Sequence, residues 1–490
     1  MKIDFITIIE EKHEETQRLK VKKKNQKMIE GNTRNVDKLL LNKLQANITS
    51  RNGKRVFEDS NSIIQKRYKQ LSEEIPLHVC QDPPSSCIQL DYLIPKLIHY
   101  TPIALVYSSN YSWIFRLSID GTKGFGGHKH HWTLSPLWTN SIQSQYNCYS
   151  WIVSSCEENA FDLKKMIIKL KVNEQLEEIL LEFKINEKPV AIYIICDWKT
   201  LITLLGFSSP GNVHDDSFIC WRCMYRKGAS KNRGEDAWIT YPWYFYKTNL
   251  QLHYHTHALL KAVPLEYWRY GPMHMFTNLF SRALGNLILL ATKWQCATKM
   301  TEIITSEISE LDKWSPQSPH MMPCDMKKII QKKLYLQLLP LIPHETIEIQ
   351  WRKDQISQEE LVQNVFSTLF QSILFYYQVI YEKPENIDYS IYIPLLFEAR
   401  NDILAVFAYF KWDLHATNHY ALNHFLEDIE SDYLFTYPII QVGCEEGAEA
   451  GHKTLKIKGR NTYQGLKFNS NSSSQYLTKV MIEKKLFMDP

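Results

Sequence analysis

Apolar and polar positions change period several times along the chain. Residues 1–75 are polar and lysine-rich, with helical spacing only around "VDKLLLNKLQANI". "CQDPPSSC" at 80–87 is rich in proline and serine and predicts a linker. "YSWIFRLSIDG" (111–121) then alternates as a half-buried strand does. "GTKGFGGHKHH" predicts a loop, and "WTLSPLWT" and "NCYSWIVSS" predict two further strands. In "AFDLKKMIIKLKVNEQLEEILLEF" (160–183) the apolar residues recur at three and four, which predicts one helix. "KPVAIYIICD" (188–197) reads as a buried strand and "WKTLITLLGF" as the helix behind it. The order over 111–206 is therefore β-β-β-α-β-α, which fits helices layered on a mixed sheet, an α/β fold. Helical periodicity dominates from about 250 to 430, at 273–296, 299–313, 357–383, 393–410 and 415–430. A short helix and a basic tail are predicted from Glu445 onward.

Composition narrows the class. Of the 490 residues, 44% are hydrophobic and 12% aromatic, enough for a substantial core. No apolar run reaches the roughly 18 residues that span a bilayer, and no signal-peptide pattern opens the chain. A soluble, intracellular protein is expected. The net charge is +4. Residues 1–75 alone hold 17 Lys/Arg against 11 Asp/Glu, so the remainder is slightly acidic. A basic arm on a near-neutral body suits a polyanionic partner, or else is a solvated extension. "KVKKKNQK" (20–27) is compatible with a nuclear address. The ten cysteines form no repeating framework, and only Cys220 and Cys223 have ligand spacing.

The candidate chemistry is acidic and metal-binding. Asp120 closes the first strand and Asp197 the fourth. Each has an ordinary explanation, a hairpin Asp-Gly turn for Asp120 and a helix N-cap for Asp197. In a β-β-β-α-β sheet, however, the first and fourth strands lie side by side, which brings the two aspartates together. A third carboxylate would complete a cluster able to hold two divalent cations ~4 Å apart for phosphodiester chemistry. "CEEGAEAGHK" (444–453) offers Glu445, Glu446 and Glu449 on a segment of almost no bulk. Helical spacing does not choose among them, but Glu449 sits between Gly447 and Gly451, a small-residue pair that permits close approach. "FICWRC" gives the thiolate pair Cys220 and Cys223. "DLHATNHYALNHF" offers His415, His419 and His424, two of which would complete a tetrahedral zinc site. His419 and His424 are five apart, so a regular helix must begin or break between them to bring them together. "LHYHTH" (His253, His255, His257) reads as a surface stretch, and His274 in "YGPMHMF" as a residue of a helix's first turn.

Taken in order, "SIDGTKG", Asp197 ahead of the CxxC, "HYALNH" and "EGAEAGHK" resemble the catalytic core of the V(D)J recombinase and its Transib-type transposase relatives, over roughly 110–490. The resemblance implies an RNase H-like fold with a helical, zinc-stapled insertion between the second aspartate and the glutamate. It implies catalytic, magnesium- or manganese-binding acids at Asp120, Asp197 and Glu449. Zinc ligands then fall on Cys220, Cys223, His419 and His424, and the histidine near the active site on His274. Where the family has an acidic residue three before that histidine, this chain has Gly271. The implied organisation is a basic arm (1–75), a linker or lead-in (76–110), a catalytic core (111–206), the insertion (207–444), and the glutamate helix with a basic tail (445–490).

By this resemblance the chain is expected to be a nuclear DNA transposase or recombinase. It would nick a strand and let the freed 3′-hydroxyl attack another, acting on double-stranded DNA, transposon ends and target, as a homodimer. Lys123, Lys129, Lys453, Lys456, Lys458 and Arg460 are candidate phosphate contacts. The alternative is a domesticated, catalytically inactive, zinc-stapled DNA-binding protein derived from such an enzyme.

Overall fold

The structure is a computed structural model. It describes residues 73–100, 113–121, 130–138, 148–206 (except 183 and 186), 220–223, 258–308, 314–351 (except 318 and 320), 357–381, 388–434 and 473–478 (except 476). The chain divides into two compact units, Met1–Ile75 and Pro76–Pro490. Of the first, only residues 73–75 are described.

The second unit is mixed α/β. Its strands are β1 (Leu77–Gln81), β2 (Pro84–Ile88), β3 (Trp113–Gly121), β4 (His130–Pro136), β5 (Tyr149–Ser154), β6 (Lys184–Ile185), β7 (Lys188–Cys196) and β8 (Trp268–Tyr270). They form one sheet in the order β1-β2-β5-β4-β3-β7-β6, with β8 also on β7. β3, β4 and β5 are an antiparallel meander. β7 runs parallel to β3 from Trp113↔Val190 to Ile119↔Cys196. β8 lies parallel along the end of β7, pairing Ile194 with Trp268 and Cys196 with Tyr270. β4 and β5 are buried at every residue, as strands covered on both faces must be. Trp132 and Trp151, both fully buried, meet edge to face with centroids 5.9 Å apart.

Two helices make the crossover from β5 to β7. α1 (Leu90–Tyr100) precedes the meander, α2 (Ala160–Lys169) and α3 (Val172–Glu177) follow β5, and α4 (Trp198–Leu204) follows β7. The single helix expected over 160–183 is broken at Lys171, whose φ of 51° and ψ of 44° are left-handed. A lysine at this position gives no warning of the break, as a glycine would. A π-helical turn, Glu178–Glu182, follows α3.

The linker expected at 80–87 is a correction. "LHVCQDPPSSCI" folds as the β1–β2 hairpin, and β2 extends the sheet by pairing with β5. The serines read as loop-forming, but their hydroxyls are satisfied inside the protein. Ser85 Oγ lies 2.6 Å from Ser154 Oγ and Ser86 Oγ lies 2.6 Å from Ser473 Oγ. Once paired, a hydroxyl is cheap to bury. Ser473 comes from the expected basic tail, whose Leu477 is also fully buried, so this part of the tail packs into the fold.

The helical part contains α5 (Pro272–Ala291), α6 (Ala297–Thr305), α7 (Pro323–Gln331), α8 (Leu334–Leu338), α9 (Val362–Tyr381), α10 (Tyr389–Tyr409), α11 (Ala416–His419) and α12 (Phe425–Leu434). α5 is buried on nearly every side, from Met273 to Ile288, and is the central helix against which α6, α7, α9 and α11 pack. A helix apolar all round belongs in a core. A small hairpin of β9 (Thr346–Ile349) and β10 (Gln358–Leu361) precedes α9. β8 and this hairpin fall within the stretch expected to be a helical insertion. They are short, and β8 carries Arg269 between two aromatic residues, so neither gave a strand signal.

Candidate metal centre and the acidic strand end

Four side chains converge in the helical part of the fold. Cys220 and Cys223 come from the short described segment 220–223, and His419 and His424 from the α11–α12 region. All four are buried, and their ligand atoms lie within 4.8 Å of one another. The five-residue spacing of the histidines is solved by a π-helical turn, Tyr420–His424, inserted between α11 and α12. In a regular helix, residues five apart point about 140° away from each other. Bonding from i to i+5 widens the turn and brings them to one side, their rings meeting edge to face with centroids 5.1 Å apart.

The spacing of the two imidazole nitrogens fits a tetrahedral ion. His419 Nε2 and His424 Nε2 are 3.2 Å apart, and Cys223 Sγ is 3.1 Å from His419 Nε2. Two nitrogens bound to one tetrahedral zinc would be about 3.3 Å apart. A group of two thiols and two imidazoles with no oxygen donor suits a metal such as zinc, held in a closed structural site. Burial pushes the Cys220 thiol up, but the hydrogen bond from Cys223 and the facing His424 and His419 outweigh it and leave the thiol well below its ordinary value. Burial pushes the His424 imidazole down, but the facing Cys220 outweighs it and raises it to about 9, so a metal binding here would take the place of that proton.

The surroundings orient these donors. His424 Nδ1 lies 2.9 Å from Glu427 Oε2, and the Asn423 amide lies 3.1 Å from His419 Nδ1. Carboxylate and amide partners of this kind fix ring orientation in metal sites. Arg222 N–H donates to Cys220 Sγ at 3.4 Å. His415 is the N-cap residue of α11 and is not one of the four converging side chains. His253, His255 and His257 lie outside the described residues.

No protein-family model and no curated protein matches this chain.

The second feature is the C-terminal end of β3 and β7. Their last registered pair is Ile119↔Cys196, so the next residues are Asp120 on β3 and Asp197 after β7. Asp197 caps α4, accepting from Thr200 N at 2.7 Å. Burial pushes its carboxyl above the usual range. The Thr200 bond opposes this, the neighbouring Glu158 adds to it, and the charge of His274 draws it back. His274 sits in the first turn of α5, two residues after Pro272. Gly271, the cap of that helix, donates its N–H to Cys196 O at 3.3 Å, which ties the start of α5 to the end of β7.

Glu158 was not anticipated. It accepts from Thr200 Oγ1 at 2.6 Å and pairs with Lys199 at 2.5 Å. In the sequence it stands just ahead of Asn159, which caps α2, and so reads as an ordinary acid near a helix start. The Asp120 side chain, Glu449, Lys123, Lys129, Lys453, Lys456, Lys458 and Arg460 lie outside the described residues.

Proposed function

We propose that the chain is a DNA transposase or recombinase with an RNase H-like core. The observation that supports this most directly is the parallel β3–β7 pairing, which leaves Asp120 and Asp197 adjacent at the ends of neighbouring strands. A three-stranded meander followed by a strand parallel to its first member is the arrangement this reading requires. Bound magnesium or manganese would supply an activated attacking oxygen and neutralise the leaving oxygen of a phosphodiester. Asp120, Asp197 and Glu449 are the residues that would hold it.

The remaining roles belong to the protein's own groups. The N–H of Thr200 holds the Asp197 carboxylate at the strand end. The charge of His274 favours the ionised form of that carboxylate, the form a cation needs. Lys123, Lys129, Lys453, Lys456, Lys458 and Arg460 would position phosphates without reading sequence. In this reading the Cys2His2 metal is a structural zinc, the protein works in the nucleus as a homodimer, and its substrate is double-stranded DNA.

The test is nicking of a DNA duplex with added magnesium or manganese, comparing the natural protein with Asp120→Asn and Asp197→Asn. The expected result is metal-dependent nicking and 3′-hydroxyl strand transfer, lost in both variants. DNA binding without nicking in the natural protein would instead support a domesticated DNA-binding protein in which Asp197 is only a helix cap.

A further inference from the structure

Two buried connections run from the Cys2His2 centre to the strand end at Asp197. The first is aromatic. Trp221, between the two cysteines, stacks on Tyr420 with centroids 5.5 Å apart. Tyr420 meets the edge of Tyr270 at 6.1 Å, and Tyr270 meets Trp198 at 5.4 Å. Trp198 directly follows Asp197.

The second connection is polar and passes through Asp428 on α12, which is 3% exposed. Its carboxylate is paired with the guanidinium of Arg222, the residue between Trp221 and Cys223. It accepts the hydroxyl of Tyr420 at 2.6 Å, and Tyr420 lies between the two histidines. Arg269 Nε stands 3.7 Å away, on β8. Arg269 pairs in register with Ile195, and Tyr270 with Cys196. One carboxylate thus touches a residue inside each half of the metal centre and a residue of the strand that braces β7 just before Asp197. Tyr270 also accepts from Asn278 Nδ2 at 2.9 Å, which ties the same strand to the helix that carries His274.

We propose that Asp428 is a positioning residue through which the Cys2His2 centre sets the end of β7, and with it Asp197. This rests on the reading of Asp197 as catalytic, but the link itself is measurable without catalysis. A buried carboxylate shared by two guanidiniums has few alternative geometries, because moving it strands a charge in an apolar surround. The β8 strand is therefore linked to the metal centre through a buried ion pair, 3.7 Å long at Arg269 Nε, whose guanidinium also donates to the Trp268 carbonyl of β8 itself.

The experiment uses full-length, zinc-loaded protein and the variants Asp428→Asn, Asp428→Glu and Tyr420→Phe. Tyr420→Phe removes one hydroxyl and leaves no buried charge unpaired, so it is the variant least at risk of misfolding. Three quantities are read: zinc per chain, amide hydrogen exchange over Trp268–Tyr270 and Ile194–Cys196, and DNA nicking. The expected result for Asp428→Asn is unchanged zinc, lost protection at both strand ends, and nicking kcat reduced about 10–100-fold, the range for residues that orient a metal site's ligands, with KM for DNA unchanged. Tyr420→Phe should show the same pattern more weakly, and Asp428→Glu should recover part of it. Natural exchange protection in a zinc-loaded Asp428→Asn protein would overturn the proposal. So would loss of zinc together with protection in both Asp428→Asn and Tyr420→Phe, since Asp428 would then serve only the metal centre. If the natural protein does not nick DNA, the functional reading fails while the exchange data still decide the link.

Discussion

Cys223 and His415 test the metal centre from opposite sides. Cys223 is buried and its sulfur lies 3.1 Å from His419 Nε2, while His415 only caps α11. Losing a structural metal is among the few single changes that cost about 3 kcal/mol or more. Cys223→Ser should lose zinc by elemental analysis and unfold at a clearly lower temperature, and His415→Ala should keep a full complement. Asp197 gives a prediction of the opposite sign. Burial raises its folded pKa above the unfolded value, so its contribution to stability is complete below the unfolded pKa and is lost as pH rises through the folded one. At pH 7–8 the ionised carboxylate therefore costs stability. Asn caps a helix about as well as Asp, so Asp197→Asn keeps the cap and removes the buried charge. Its Tm should exceed that of the natural protein at pH 7.5 without added divalent cation. The gain should shrink as pH is lowered into the carboxylate range. A lower Tm for Asp197→Asn at pH 7.5 would show that burial is not what strains this carboxylate.

Two backbone positions at the scale of elements show what pattern reading detects and what it misses. Lys171 sits at the break between α2 and α3 with left-handed φ and is solvent-exposed. Non-glycine residues there cost about 1 kcal/mol, so Lys171→Gly should raise stability by up to that amount in chemical denaturation. Gly285 lies inside α5, where a Cβ would meet Pro316 O at 2.7 Å and the Pro319 ring at 2.8 Å. Gly285→Ala should therefore destabilise, although alanine is the better helix former. The long helices and the buried strands β3, β4, β5 and β7 were legible because their apolar period runs over many residues. The β1–β2 hairpin was not, because buried serines look like loop residues until their cross-sheet partners are known. The Cys2His2 group was legible from its residue types, and its spacing called for a helix irregularity. That the irregularity is a π turn depends on backbone bonding, which residue identities do not announce. Glu158 and Asp428 were illegible for another reason: each acts through residues 42 and 206 positions away in the chain.

The sheet and the charge of the whole molecule come together in the reading of the strand ends. Asp120 and Asp197 are the next residues at the ends of the paired strands β3 and β7, and Glu158 stands near Asp197; in the proposed reading their carboxylates form one acidic strand end. Such an edge repels DNA unless cations bridge it. A DNA-processing role therefore needs positive charge beside the acids, and Lys453, Lys456, Lys458 and Arg460 follow Glu449 within eleven residues. Each phosphate contact removed should reduce the slope of log affinity against log salt by about one unit. Neutralising all four should flatten it by about four, measured by duplex binding in calcium, and an unchanged slope would place the DNA elsewhere. Glu449 separates that binding from chemistry. Glu445 and Glu446 share its segment and its charge, so a merely electrostatic role would make the three interchangeable. A metal-holding role would not, because the resemblance puts the metal ligand at Glu449 alone; glycine flanks do not separate it from Glu445, which has Gly443 and Gly447 two residues to either side. Glu449→Gln should abolish nicking and strand transfer with duplex binding in calcium near normal, whereas Glu445→Gln and Glu446→Gln should retain most activity. An active Glu449→Gln protein would remove the third acid from the proposed site, and with it the resemblance that singled that glutamate out.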